Sequence, residues 1–256
     1  MAGRRLLQPL WKRILRLALY GMNIAGGSYV ATSGEVRVLR DISRRLRGRG
    51  PLVVLDVGAN VGEYAAAALA HLGPDTRVYC FEPSEAADDA LRRALGARPN
   101  VRILNLGIGE RDETVTLYSD AAGSGLASVY ERRLGHAGIV MKPAGDIRLT
   151  TLDAFCATEG LSHVHLVKLD VEGHELSALR GAARLIADGA IDFIQFEFGG
   201  CNIDSRTFFR DFFELLNPRF RLHRVLRDGL APIDRYDETL EVFLTTNFLA
   251  VSRTIE

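Results

Sequence analysis

Residues 53–64 read VVLDVGANVGEY, and this stretch decides the fold. An unbroken apolar run, LVVLDV (52–57), marks a short strand buried on both faces. Gly58 and Gly62 follow at once, and GEYAAAALAHLG (62–73) then reads as a helix ending at Gly73. A strand, a glycine turn and a helix form the first unit of a parallel sheet. Outward from it the rhythm repeats. RVYCFEP (77–83) predicts a second strand, and the helix after it has Ser84 placed as a cap. VRILNLGIG (101–109) predicts a third strand, HVHLVKLD (163–170) a fourth and IDFIQFEF (191–198) a fifth. ELSALRGAARLIADG (175–189) and TFFRDFFELLNP (207–218) predict helices, the latter capped by Ser205. Two tail strands, RLHRVL (221–226) and EVFLTTNFLAVS (241–252), flank a connector, RDGLAPIDRYDET (227–239). The middle differs: ETVTLYSD (113–120) alternates like an edge strand, the glycine- and serine-rich AAGSGLASVYERRLGHAG (121–138) predicts a mobile loop, and DIRLTTLDAF (146–155) runs from strand into a helix capped by Thr151.

The formal charge is zero, with 32 basic and 32 acidic residues, but it is split along the chain. Residues 1–50 hold eleven Lys and Arg against Glu35 and Asp41, a formal +9 that the rest of the chain balances. This divides the chain into a basic helical extension, 1–50, and an α/β domain, 51–256, and predicts an anionic partner for the extension. Within it, Leu10, Trp11, Ile14, Leu15 and Ala18 make one stripe, and Lys12, Arg13 and Arg16 lie off it. Those cations rule out a signal peptide or a spanning helix there. Such a helix packs on the domain or on a second subunit, or lies on an anionic membrane. Three separated cysteines, Cys80, Cys156 and Cys201, give no metal-binding pair and suit a reducing, cytoplasmic setting, peripheral to the inner membrane face if the helix docks there.

The glycine turn after the first predicted strand has neither G-x-G-x-x-G nor a P-loop lysine, which disfavours a dinucleotide or nucleoside triphosphate. Asp56 would repel a pyrophosphate. An acid at the end of the second strand, Glu82, is the usual partner of ribose hydroxyls. Together they point to an adenosine cofactor with a cationic amino-acid end, S-adenosylmethionine.

VVLDVGANVGEY, YCFEPS, NLGIGERDETVTLY, TTLDAF and HLVKLDVEGHELSALRGA, in this order, resemble the FkbM family of S-adenosylmethionine-dependent methyltransferases, over roughly residues 20–250. The resemblance implies the class I methyltransferase fold, a Rossmann-like seven-stranded, mostly parallel sheet whose last strand is antiparallel. It implies methyl transfer to a hydroxyl oxygen of a sugar, glycolipid or related natural product. Carried over by position, Asp56, Gly58, Ala59, Asn60, Gly62 and Tyr64 would surround the methionine end. Glu82 and Pro83 would hold the ribose, Gly107 and Ile108 would lie near the adenine, Asp170 would face the methyl group, and Ser124 would approach from the loop.

A hydroxyl acceptor gains from losing its proton, so a base or a metal is expected within reach. Asp170, Glu172 and His174 are the candidate bases. Asp170 and Glu197, at adjacent strand ends, would alternatively share a divalent cation. Glu175 opens a helix, which suits a structural acid. His136 is a secondary candidate; His163, His165 and His223 read as packed or solvated, and Phe208, Phe209, Phe212 and Phe213 as core. The competing class is an NAD(P)-dependent oxidoreductase on the same kind of sheet. A nucleic-acid substrate is disfavoured by the acidic domain and the lack of a flipped-base motif. A homodimer through the N-terminal helix stays open.

Overall fold

The computed structural model describes residues 3–26 and 30–255. Helices α1 (Gln8–Gly21) and α2 (Glu35–Arg45) precede β1 (Val53–Val57), α3 (Glu63–Leu72), β2 (Arg77–Phe81), α4 (Glu85–Leu95) and β3 (Val101–Leu104). The middle holds β4 (Gly107–Ile108), β5 (Glu113–Ser119), β6 (Lys142–Thr150) and α5 (Leu152–Thr158). Then come β7 (Val164–Leu169), α6 (Glu175–Arg180), α7 (Ala183–Ala187), β8 (Ile191–Phe198), α8 (Cys201–Ser205), α9 (Phe209–Leu216), β9 (Phe220–Val225), β10 (Leu230–Ile233) and β11 (Thr246–Ser252).

The main sheet has the order β10-β9-β11-β8-β7-β1-β2-β3. Strands β3, β2, β1, β7 and β8 run parallel, and β11 enters antiparallel between β8 and β9. This is the class I methyltransferase-type, Rossmann-like arrangement, with one correction: eight strands, not seven. The eighth, β10, lies in the expected connector. Its Pro232 weakens the strand signal, but an edge strand tolerates proline, and β10 is the sheet's edge, paired only with β9.

Helices cover both faces. Val38, Leu39 and Ile42 of α2 share one core with Tyr64, Ala65, Ala68 and Leu69 of α3 and Leu91 and Leu95 of α4. On the other face Phe155, Leu176, Leu179, Leu185, Phe209 and Phe212, from α5, α6, α7 and α9, pack on Phe196, Leu55 and Leu169. Thus α2 belongs to the body of the domain, whereas α1 has no buried residue.

Other expectations are corrected by contacts distant in sequence. The predicted third strand splits after Leu104: Gly107 and Ile108 leave the main sheet to pair with β6 in a three-stranded sheet, β4-β6-β5. The helix expected over 175–189 breaks at Gly181, where a Cβ would stand 2.0 Å from the Gly109 carbonyl oxygen. Ser84 makes no side-chain cap bond. Ser205 ends α8, and the first amides of α9 instead donate to Glu241, from Phe209 at 2.8 Å and Arg210 at 3.0 Å. Phe208 is exposed rather than core. Thr151 does cap α5, accepting from the Ala154 amide at 3.0 Å.

The β1 turn is built on a close approach. Gly58 has φ +79°, and a Cβ there would lie 1.9 Å from the Asp170 carbonyl oxygen. The Asp170 amide donates to the Val57 carbonyl at 3.0 Å, and the Gly58 amide to the Phe81 carbonyl at 2.9 Å. One glycine therefore lets three strand ends converge. Gly58→Ala should destabilise the fold by about 3 kcal/mol or more, from overpacking and left-handed strain combined. A shift of the urea midpoint to lower concentration checks this.

Candidate active site

Where β1, β2 and β7 end, a cavity of about 390 Å³ opens. That volume lies within the range of small-molecule sites. Gly58 and Asn60 line it from the β1 turn, Glu82 and Pro83 from the end of β2, Gly107 and Ile108 from β4, and Asp170, Glu172 and His174 from the segment after β7. Glu197, at the end of β8, closes one side, and Ser124, Leu126, Ser128 and Arg132 form the wall from the middle segment. The pre-core Val30 and Glu35 also reach it.

Eleven sequence-selected residues are thus brought together. Four are not on the wall. Ala59 holds the turn, donating its amide to the Phe81 carbonyl at 3.0 Å. Gly62 makes room for Leu91 and Leu95 of α4. Tyr64 donates its hydroxyl to Gln195 at 3.1 Å within the α2/α3 core. Asp56 is buried behind the wall, and its Oδ2 has no hydrogen-bond partner.

Glu82 is fixed by the backbone. One carboxylate oxygen accepts the Asn60 amide at 2.8 Å, the other the Ser84 amide at 2.9 Å. Each oxygen retains a lone pair. Burial nevertheless pushes its pKa up.

Around the far end of the cavity, ligand oxygens of Asp170, Glu172 and Glu197 lie within 4.8 Å of one another. Two cations hold this acidic group. Lys168, buried in β7, donates to Asp170 Oδ2 at 3.1 Å and lies 3.5 Å from Glu35 Oε1. Burial alone would lower the Lys168 pKa, but Asp170 and Glu35 outweigh it and hold it above the ordinary value. Arg132 pairs with Glu172. Even so, burial lifts the Glu172 carboxyl to about 8, and burial with the nearby Asp170 and Glu172 carboxylates raises Glu197 well above its usual range. The oxygens are hard donors of the kind a divalent ion takes. However, an ammonium and a guanidinium already stand in ion-pair contact with two of the three carboxylates, so a further dication would meet two fixed positive charges. The donor set does not fit a resident metal.

His174 lines the cavity, but its Nε2 is closed off by burial. Its Nδ1 faces the Tyr130 hydroxyl at 3.2 Å, and its Nε2, beside Gly109, has no hydrogen-bond partner. Burial lowers its pKa, which keeps the ring neutral. Glu175 is structural in its contacts: its carboxylate accepts the Val171 amide at 3.0 Å and the Gly173 amide at 3.0 and 3.1 Å. Those bonds hold the turn in which Glu172 adopts φ +50°. The predicted mobile loop is instead pinned. Ser128 exchanges backbone bonds with Tyr118 at 2.7 and 2.9 Å, and its hydroxyl donates to the Glu172 carbonyl at 2.7 Å.

Other histidines lie elsewhere. His136 is exposed and off the cavity. His163 does have an acid partner, Asp192, at 3.1 Å. Neighbouring His165 accepts the Val53 amide on Nδ1 at 3.0 Å, which leaves its proton on Nε2. That tautomer opposes metal binding by the His163–His165–Asp192 group. Sequence reasoning missed Arg132, Ser128, Val30 and the Glu35 partner of Lys168. Only Lys168, a charge inside an apolar strand, carried a signal.

The family model described as the methyltransferase FkbM domain matches residues 56–221. The chain belongs to this family. The AMB antimetabolite synthetase AmbE of Pseudomonas aeruginosa is 31% identical over a 160-residue alignment that covers 50% of this chain and 8% of AmbE. The match therefore spans less than a tenth of that relative's length. Among solved structures, a SAM-dependent O-methyltransferase from Thermotoga maritima aligns with a TM-score of 0.42 at 13% identity, over 84% of this chain and 64% of that one. A SAM-dependent methyltransferase from Agrobacterium tumefaciens aligns with a TM-score of 0.46 at 9% identity, over 88% of this chain and 63% of that one.

Buried acids make stability fall as pH rises. Burial raises Asp56 from 3.8 to about 7, partly offset by Lys168. Between those values the folded chain holds a proton that the unfolded chain has lost, so stability drops through that window. Three pKa units correspond to at most about 4 kcal/mol. Glu172 and Glu175, the latter raised to about 7 by burial, act in the same direction. The melting temperature should therefore fall from about pH 5 to about pH 8, and less steeply in Asp56→Asn. Thermal melts of both proteins across that range check it.

Proposed function

For this FkbM-family chain, we propose methyl transfer from S-adenosylmethionine to a hydroxyl oxygen of a sugar, glycolipid or related small acceptor. The observation that carries the proposal is the set of carboxylates on one cavity. Glu82 lies at one end, and Asp170, Glu172 and Glu197 lie at the other. Acceptor oxygens of this kind suit a ligand bearing hydroxyls and a cationic end better than a pyrophosphate, which favours this cofactor over NAD(P). The proposed cofactor domain, 51–256, then shares its cavity with Val30 and Glu35 of the extension.

When bound, S-adenosylmethionine supplies a methyl group already activated on a sulfonium, so the chain's task is mainly to position two partners. Glu82, with oxygens oriented by the Asn60 and Ser84 amides, accepts bonds from the ribose hydroxyls. Gly58 and Asn60 leave the backbone open toward the methionine end, and Gly107 and Ile108 form the apolar side for the adenine. Asp170 faces the acceptor. Lys168 keeps its Oδ2 in place, and its side chain stays 41% exposed, so a carboxylate oxygen remains for the hydroxyl proton. Glu172, held by Arg132, orients the acceptor. His174 serves as wall rather than base.

Calorimetry with S-adenosylhomocysteine tests the cofactor assignment. Glu82→Gln should weaken binding on the order of tenfold, the scale of a lost charge-assisted bond. Tight NAD(P) binding with no S-adenosylhomocysteine binding overturns the proposal. Asp170→Asn should keep cofactor affinity within a few-fold and lower kcat on the order of 10²–10⁴, as for a lost general base. A mass-shift assay with hydroxylated acceptors reads that loss. A chelator should leave the rate unchanged, because no step uses a metal.

A further inference from the structure

We propose that α1 is a docking surface for an anionic membrane, on which it lies flat. At 3.6 residues per turn, Leu10, Ile14, Leu17, Ala18, Trp11 and Leu15 occupy one continuous arc, while Lys12 and Arg16 occupy the opposite one. The apolar arc is uncovered: Leu17 is 71% and Leu15 58% exposed, and α1 buries no residue. Isolated apolar side chains on a surface are ordinary, but a contiguous exposed face of this length marks an interaction site. The base of the helix is nevertheless fastened. Asn23 donates to the Ser33 carbonyl at 2.9 Å and the Val225 carbonyl at 3.1 Å, Ile24 is buried, and Arg227 lies over the Tyr20 ring at 5.4 Å. The face is therefore held out from a fixed point and does not fold back onto the core.

Charge selects the occupant. Residues 3–26 contain five cations and no acid. A second copy of the helix packed on this face would bring cations against cations with nothing to neutralise them. An anionic bilayer surface supplies both an apolar boundary for the Leu/Ile/Trp arc and negative charge for the flanking Arg and Lys. Among the described residues no helix is long and apolar enough to cross a membrane, so the contact is interfacial. Val30, on the cavity wall, follows shortly after α1. Docking would thus hold the cavity near the surface on which a lipid-linked hydroxyl acceptor resides. That last step rests on the proposed methyl transfer; the docking itself does not.

Flotation of the full chain with phosphatidylcholine–phosphatidylglycerol vesicles tests the proposal. Binding should exceed that to pure phosphatidylcholine and weaken with salt. Trp11 is the only tryptophan, so its emission should shift to the blue on the mixed vesicles alone. Exchanging Lys12, Arg13 and Arg16 for Gln should weaken binding on the order of 100-fold, at about fivefold per cation. Ile14→Glu should abolish it. Both variants should keep S-adenosylhomocysteine affinity unchanged, because α1 is outside the cavity, so failure here is separable from failure of the enzymatic proposal. Absence of vesicle binding, or equal binding to neutral vesicles, overturns the membrane assignment. So does a dimer in sedimentation that Ile14→Glu dissociates, which would give the face to a second copy.

Discussion

The Lys168 ammonium is the constraint on which the site depends. It is buried in the central sheet, where an unpaired charge is not tolerated. Its partners come from two directions: Glu35 from the pre-core helix and Asp170 from the mouth of the cavity. The Tyr64 ring lies 5.5 Å away, and Gln195 bridges Tyr64 to Glu35 with bonds of 3.1 and 2.6 Å. Ser33 adds a hydroxyl to Glu35 at 2.8 Å. Satisfying one cation therefore fastens α2 onto the sheet and fixes the Asp170 carboxylate at the mouth of the cavity. Removing the Lys168 ammonium would leave Glu35 buried and uncompensated, which costs about 3–5 kcal/mol in comparable pairs. Stability and site geometry are the same network here.

A second ion pair does the corresponding work on the other wall. Arg132 comes from the segment between β5 and β6 and meets Glu172 after β7. With the Ser128 hydroxyl bond to the Glu172 carbonyl, it fastens the small sheet over the large one. Glu172 occupies left-handed backbone, a conformation that costs a non-glycine residue free energy and persists only where its surroundings impose it. Glu175 imposes it from below by accepting the amides of the same turn. Three neighbouring acids thus have three separate tasks: Asp170 is open to the cavity, Glu172 is strained and paired, and Glu175 is consumed by the backbone.

The rhythm of strands and helices was legible because apolar runs and glycine turns act locally. LVVLDV, HVHLVKLD and IDFIQFEF needed no partner to be recognised as buried strands, and Gly58 marked the turn at which three strands converge. Where local signals were weak, long-range contacts prevailed. Pro232 masked an edge strand that only its pairing with Leu222–Val225 reveals. The break at Gly181 answers to the Gly109 carbonyl, and the cap of α9 to Glu241, neither of which is near in sequence.

By itself the sequence determined the α/β architecture, the glycine turn, Glu82 at the second strand end, and the acids after the fourth strand of the parallel series. Each depends on residue type and spacing within a few neighbours. Only the tertiary structure decided which acids are open, which are paired and which are spent on backbone amides. It withdrew Asp56 from the wall, turned His174 Nδ1 to the Tyr130 hydroxyl and buried Nε2, and matched Arg132 and Lys168 to their carboxylates. The reason is physical: a buried charge is governed by whatever lies within a few ångströms of it, and sheet pairing brings those neighbours from distant parts of the chain.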